Sequence, residues 1–105
     1  MGSVSGRRLA ALIEQATVDA YDESEETTGF FTMIEENLAL PFVTQVLGVP
    51  VTVEAVDLTE DERIMVICSR GEHSQRMPVL DLPLPVPVPG GAEWIGAYRA
   101  WSTGS

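Results

Sequence analysis

The sequence predicts an α+β fold in which an N-terminal helical segment packs on a small curled antiparallel sheet or SH3-like barrel, with a short helix near the C-terminus. Apolar residues recur at helical spacing as far as residue 40, and the apolar period then falls from about 3.6 residues to about 2. Several short strand patterns joined by turns follow. Helices followed by a run of strands are typical of a small sheet packed against helix.

The length of 105 residues and the apolar content of 45% predict one small folded domain. We expect it to span residues 8–101, with a disordered lead over residues 1–7 and a tail over residues 102–105. We find no stretch long and apolar enough to cross a membrane and no signal-peptide pattern. A single cysteine allows no internal disulfide, so we expect a cytoplasmic protein.

Two helical patterns precede the sheet. The first, over residues 8–20, places apolar side chains at helical spacing at Leu9, Leu12, Ile13, Ala16 and Ala20. The second gives a buried face from Phe30, Ile34 and Leu38. Ser24 is the predicted N-cap, and Pro41 ends the pattern because the residue before a proline is disfavoured in helical geometry. The sequence leaves open whether Asp22 and Glu23 interrupt one long helix or separate two.

Four strand patterns follow Pro41, at residues 42–47, 51–57, 64–68 and 75–82. The second alternates, so one side of that strand should carry Val51, Val53 and Ala55 and the other Thr52, Glu54 and Val56. The third is a continuous apolar run, which predicts a central strand and a buried Cys68. His73 lies in the predicted turn before the fourth strand, where we expect it to be exposed.

The C-terminal part predicts an extended strap and a closing helix. Prolines alternate with apolar residues over residues 83–89, which favours a polyproline-like strap over the sheet rather than a free ligand segment. The stretch 93–101 then places three aromatic side chains at i, i+4 and i+7, namely Trp94, Tyr98 and Trp101. We expect them to dock on the core; an aromatic ligand site is the alternative.

The charge distribution is strongly one-sided. The net charge is −10, there is no lysine, and no basic residue lies between Leu9 and Glu62. That span holds thirteen acids: Glu14, Asp19, Asp22, Glu23, Glu25, Glu26, Glu35, Glu36, Glu54, Asp57, Glu60, Asp61 and Glu62. Such a surface repels phosphate backbones and anionic lipid, so we expect neither nucleic acid nor a membrane as a partner. It attracts cations or a basic protein.

Calcium prefers carboxylate and carbonyl oxygens, and the acids cluster at both ends of the second helical pattern. If that segment is helical, Asp22 and Glu26 face the same way, as do Asp19 and Glu23. Two acids at strand ends could complete sites. The candidate ligands are therefore Asp22, Glu26, Glu35, Glu36, Asp57 and Asp81. The spacing does not fit the twelve-residue loop of an EF-hand.

The sequence does not predict an enzyme. It holds one histidine and one cysteine, and it lacks the nucleophile-elbow, P-loop and dinucleotide-binding patterns. Glu35 and Glu36 could do acid–base work, but adjacent helical residues point about 100° apart and do not form a facing pair. One cysteine and one histidine are also too few for an ordinary structural zinc site.

Scattered positions from about residue 19 to residue 101 resemble the small bacterial calcium-binding proteins typified by the cyanobacterial CcbP protein. They are Tyr21, Glu26, Gly29, Phe30, residues 34–38, Pro41, Phe42, Arg70, Gly71, Gln75, residues 80–83, residues 93–95, residues 97–99 and Trp101. The resemblance implies a non-EF-hand protein with a helical N-terminal part and a barrel-like body, which binds calcium through surface carboxylates and buffers or senses cytosolic calcium. Asp22, Glu26, Glu35, Glu36 and Asp81 lie in the matching stretches, whereas Asp57 rests on physical grounds.

The main alternative is an acidic interaction module that docks a basic protein partner. The two hypotheses differ in what they require of the carboxylates. A calcium site needs several oxygens around one ion, whereas a docking face needs only a dense negative surface.

Overall fold

The computed structural model describes residues 6–103 and confirms the α+β prediction. Helix α1 (Gly6–Thr17) and helix α2 (Glu23–Asn37) come first, a four-stranded antiparallel sheet follows, and helix α3 (Glu93–Ser102) comes last. The three helices contact one another, and α2 also packs on the sheet. The fold is therefore a layer of helices on one face of a small sheet.

The sheet is a meander in which each strand pairs with the next along the chain. Its strands are β1 (Phe42–Val46), β2 (Val49–Leu58), β3 (Ile64–Arg70) and β4 (His73–Pro78). β3 lies between β2 and β4, so the predicted central position is confirmed. The predicted fourth strand ends early, because a short 3₁₀ turn, Val79–Asp81, follows Pro78.

The structure has two separate helices, which is one of the two alternatives that the sequence left open. Asp19 adopts a left-handed backbone conformation (φ 64°), which ends the helical path after Thr17. α2 then begins after Asp22, whose extended backbone and carboxylate make it the N-cap: the Glu25 N–H donates to its Oδ1 at 2.8 Å. The prediction of Ser24 as the cap is therefore wrong; Ser24 lies inside the first turn.

A β-bulge changes the inward face of β2. The register with β3 shifts between Val53 and Ala55, so the simple alternation predicted for this strand holds only up to Val53. Beyond the bulge Val56 is buried and Ala55 is only partly buried, so Val56 rather than Ala55 shares the buried side with Val51 and Val53. Sequence periodicity does not reveal the extra residue, because the bulge is set by pairing with β3.

The core forms where α2 and α3 meet the sheet. Phe30 and Ile34 of α2 have no exposed surface. The ring of Phe30 lies 5.6 Å from that of Tyr98 and 5.2 Å from that of Trp101, centroid to centroid, so the aromatic residues of α3 dock on the core as predicted. The sheet contributes buried side chains including Val51, Val53, Val56, Ile64, Val66 and Cys68.

The proline-rich segment is held at both ends. The Thr44 hydroxyl of β1 donates to the Pro83 carbonyl at 2.6 Å, and Leu84 packs against the core. At the other end the Ala39 N–H donates to the Gly90 carbonyl at 2.8 Å. Val86, between them, is 95% exposed. The segment is thus anchored at its two ends and exposed in its middle.

Helix α1 begins before residue 8 and helix α3 ends after residue 101. Residues 1–5 of the predicted lead and residues 104–105 of the predicted tail lie outside the described residues. Gly6 and Arg7, assigned to the lead, belong to α1, and Ser102, assigned to the tail, ends α3. Within residues 6–103, none of the helices has the length and apolar content needed to span a membrane.

Glycine at position 29 sets how closely α1 and α2 approach. A Cβ atom there would clash with the backbone carbonyl of Ala16, which has no flexible end that could move aside. We therefore expect Gly29→Ala to lower the free energy of unfolding by about 2 kcal/mol or more, measured by urea denaturation.

Gly96→Ala is the matched control, because a Cβ there meets a Leu9 methyl at an ordinary 3.8 Å. It should be neutral or stabilising by up to about 1 kcal/mol, since alanine is the better helix former. Equal effects of the two substitutions would show that the helix contact at Gly29 does not limit stability.

Candidate functional site

The acidic side chains concentrate around α2 because only one face of this helix is buried. Thr27, Phe30 and Ile34 face the core. The remaining positions are free to carry charge, and the carboxylates gather in the first turn (Glu23, Glu25 and Glu26) and the last turn (Glu35 and Glu36). All of these except the half-buried Glu26 are exposed.

At the N-terminal end of α2, two carboxylates already have structural partners. Asp22 accepts the Glu25 N–H, and Oε1 of Glu25 accepts the Tyr21 N–H at 2.7 Å. These bonds satisfy backbone donors at the start of the helix, where the helix dipole also favours negative charge. The acids of this end are therefore explained in part by helix stability.

The backbone at this end corrects two predicted side-chain pairs. Asp22 is the extended N-cap and Asp19 has a left-handed backbone, so neither lies in the helix that would make residues four apart face the same way. The expected pairs Asp22–Glu26 and Asp19–Glu23 are therefore not helical neighbours.

The turn between α1 and α2 instead forms a polar recess of about 330 Å³. Asp19 and Glu25 contribute carboxylates to its lining, and Ser24, Thr28 and Thr32 contribute hydroxyls. Two of these hydroxyls are engaged, since Thr28 and Thr32 donate to backbone carbonyls of α2. Sequence analysis missed this juxtaposition because it depends on the break at Asp19, whose only signal was a short polar stretch between two apolar patterns.

The C-terminal end of α2 carries two adjacent carboxylates. Glu35 and Glu36 are exposed, and the last turn carries no basic residue. Two carbonyls near this end are already engaged: the Leu38 N–H donates to the Ile34 carbonyl at 2.9 Å, and the side-chain amide of Asn37 donates to the Met33 carbonyl at 2.8 Å. Because the last carbonyls of a helix have no N–H partner further along it, this is the negative end of the helix dipole.

The two remaining candidate ligands lie on other elements. Asp57 is on β2, where its Oδ2 is 3.2 Å from a guanidinium nitrogen of Arg76 on β4. Asp81 is the exposed last residue of the 3₁₀ turn. Within residues 6–103 no three Asp, Glu, His or Cys side chains are grouped so that they could hold a metal ion. The structure therefore does not bring the six candidate ligands together, although their oxygen donors suit a hard cation.

The carboxylates of α2 also lack compensating cations. In the described part of the chain the ion pairs join Arg8 to Glu93, Arg63 to Asp61 and Arg76 to Asp57. None of these pairs involves an α2 carboxylate. The acidic surface of α2, meaning Glu23, Glu25, Glu26, Glu35 and Glu36, is consequently a surface of unrelieved negative charge.

The single cysteine and histidine do not form an activated pair. Cys68 on β3 is buried as predicted, and burial raises the pKa of its thiol. A raised pKa keeps the sulfur protonated and weakly nucleophilic. His73 is exposed, also as predicted, and the structure of residues 6–103 shows no hydrogen bond between the two side chains. Cys68 and His73 therefore do not form a nucleophile–base pair.

The N-cap role of Asp22 can be tested separately from any ligand role. Asp22→Ala removes the acceptor of the Glu25 N–H, so we expect it to lower the free energy of unfolding by about 1 kcal/mol. Asp22→Asn keeps an oxygen acceptor and should stay within a few tenths of a kcal/mol of the parent. Urea denaturation in EDTA measures both, and an equal loss in both variants would assign the effect to charge rather than to the cap.

Comparison of the chain with protein-family models, with curated proteins and with solved structures gives no match. The resemblance to the bacterial calcium-binding proteins therefore stays a prediction from the residues that carry it.

Proposed function

We propose that this protein is a non-catalytic calcium-binding protein of the non-EF-hand type, which buffers or senses cytosolic calcium through carboxylates around α2. The proposal combines the residue resemblance with the donor chemistry of the acidic surface. It does not require a preassembled cage of side chains. Exposed carboxylates can turn toward an ion, and water can supply the remaining oxygens that calcium needs.

The observation that carries the proposal is the C-terminal end of α2. Glu35 and Glu36 lie in the last turn of α2, which carries no arginine or lysine to neutralise them. Carboxylate and backbone carbonyl oxygens are the ligands calcium takes in proteins. The helix dipole adds to the attraction there, whereas at the N-terminal end it opposes a bound cation. We therefore place the site at the C-terminal end of α2, at Glu35 and Glu36.

Binding should be visible as stabilisation of the fold. We expect calcium to raise the thermal midpoint at fixed ionic strength, because a ligand that binds only the folded state adds about 2.7 kcal/mol at a hundredfold excess over Kd. The measurement is thermal unfolding in EDTA, in calcium and in magnesium at equal ionic strength. A calcium shift well above the magnesium shift supports a site; equal small shifts mean screening of a charged surface.

Paired substitutions locate the ion. Glu35→Gln/Glu36→Gln removes two charges from the end of α2 and should abolish most of the calcium shift. The matched control is Glu60→Gln/Glu62→Gln, which removes two charges from an exposed connection between β2 and β3. Calorimetric titration of both variants separates the loss of ligands from the general loss of charge. An unchanged calcium affinity in the first variant would remove Glu35 and Glu36 from the site.

A second function, docking of a basic protein, is favoured by one observation. No three of the described acids are grouped so that they could hold a metal ion, and a spread of carboxylates without arginine partners is what a docking face requires. This function predicts equal shifts in calcium and magnesium, together with association with a cationic protein that weakens steeply with added salt.

A further inference from the structure

The helices leave one end of the sheet uncovered. A hollow of about 500 Å³ opens there between the β1–β2 and β3–β4 hairpins. Its lining includes Val49, Val51 and Cys68, and Cys68 is 1% exposed. Arg70 and His73 pair in register and share a sheet face with Cys68, since alternate residues of a strand point the same way. The hollow is therefore an apolar floor with a basic and polar rim.

The rim opposite Arg70 carries an unusual leucine. Leu47 and Gly48 form the two-residue loop of the β1–β2 hairpin with φ values of 53° and 79°. Such loops need left-handed residues and favour asparagine or glycine, so a leucine at this position is strained. The same Leu47 side chain is 97% exposed and lines the hollow. A strained, solvent-exposed apolar residue beside an apolar hollow points to a binding role.

The charge at the rim is opposite to that of the protein as a whole. Arg70 is exposed, and within residues 6–103 the structure shows neither an ion pair nor a hydrogen bond for its guanidinium. Glu72, in the adjoining turn, is the nearby acid in sequence, and it makes no ion pair with Arg70. The neighbouring Arg76 is instead paired with Asp57. An arginine without a carboxylate partner in the protein can donate hydrogen bonds to the carboxylate of a ligand.

We propose that this hollow binds a small amphipathic monocarboxylate, with its apolar chain against Leu47, Val49 and Val51 and its carboxylate on the guanidinium of Arg70. The volume lies within the range of small-molecule sites, about 300–1,000 Å³. A single negative charge matches the single arginine of the rim, whereas the net charge of −10 opposes more highly charged anions. The acids of α2 do not line the hollow, so this site is independent of the proposed calcium site.

The first test compares three probes of similar chain length at fixed ionic strength and below their aggregation limits. Octanoate, octan-1-ol and octylammonium are titrated into labelled protein, and backbone amide shifts are followed by NMR. We expect octanoate to bind at least about tenfold more tightly than octan-1-ol, because a charge-assisted hydrogen bond contributes about 1.5–3 kcal/mol. The shifts should cluster at Val49, Val51 and Cys68. Equal affinity for all three probes, or shifts centred elsewhere, would overturn the proposal.

The second test uses substitutions at the two sides of the rim. Arg70→Gln should weaken octanoate binding by about tenfold and leave octan-1-ol unchanged. Arg7→Gln is the matched control, because it removes the same charge from an exposed position on α1 and should leave octanoate affinity unchanged. If the two variants lose affinity equally, the effect is one of net charge and the carboxylate does not lie on Arg70.

Leu47→Asn separates binding from folding. Asparagine tolerates the left-handed backbone better than leucine, so the variant should unfold at the same or a higher temperature. It also removes apolar surface from the rim, so octanoate should bind several-fold more weakly. A variant that is more stable yet binds less well supports the hollow as a ligand site. Unchanged octanoate affinity in Leu47→Asn would show that the alkyl chain of octanoate does not lie in the hollow.

Discussion

The burial of one face of α2 is the constraint on which the remaining structure depends. Phe30 and Ile34 are fully enclosed between the other helices and the sheet, and Phe30 contacts the rings of Tyr98 and Trp101. Burying one such side chain contributes about 1.5–3 kcal/mol, so this face fixes both α2 and α3. Gly29 lets the backbone of α1 lie against α2, and this close contact sets the position of α1.

The acidic surface follows from that packing. Once Phe30 and Ile34 face inward, the acids of the first and last turns of α2 must face outward, where no described arginine pairs with them. The two ends of the helix are nevertheless unlike. At the first turn, Asp22 and Glu25 satisfy backbone donors and complement the helix dipole. At the last turn the same dipole adds to the charge of Glu35 and Glu36, about 15 Å from Glu26 at 1.5 Å per residue. The helix dipole therefore favours a bound cation at the C-terminal end of α2 and opposes one at the N-terminal end.

The hollow at the far end of the sheet has the opposite character, and its origin is also geometric. Helix α2 packs on β2, and the hollow is lined by residues of the two hairpins alone. Apolar side chains that continue the core face therefore reach the surface there, beside Arg70 and Leu47. The protein thus presents two chemically different surfaces: exposed carboxylates on a helix, and an apolar hollow with a basic rim on a sheet. They share no lining residue, so each can be altered without altering the other.

The sequence by itself determined the α+β class, the two apolar helical faces, the central apolar strand, the buried Cys68 and the acidic balance, because these depend on local periodicity and composition. Tertiary structure decided what depends on pairing between distant residues. The bulge in β2 exchanged Ala55 for Val56 on the inward face, and the break at Asp19 moved the helix cap from Ser24 to Asp22. Asp22, Glu26, Glu35 and Glu36 lie at the two ends of α2, but their distances from Asp57 and Asp81 could not follow from spacing. Those distances depend on how helix and sheet pack, which no local pattern encodes.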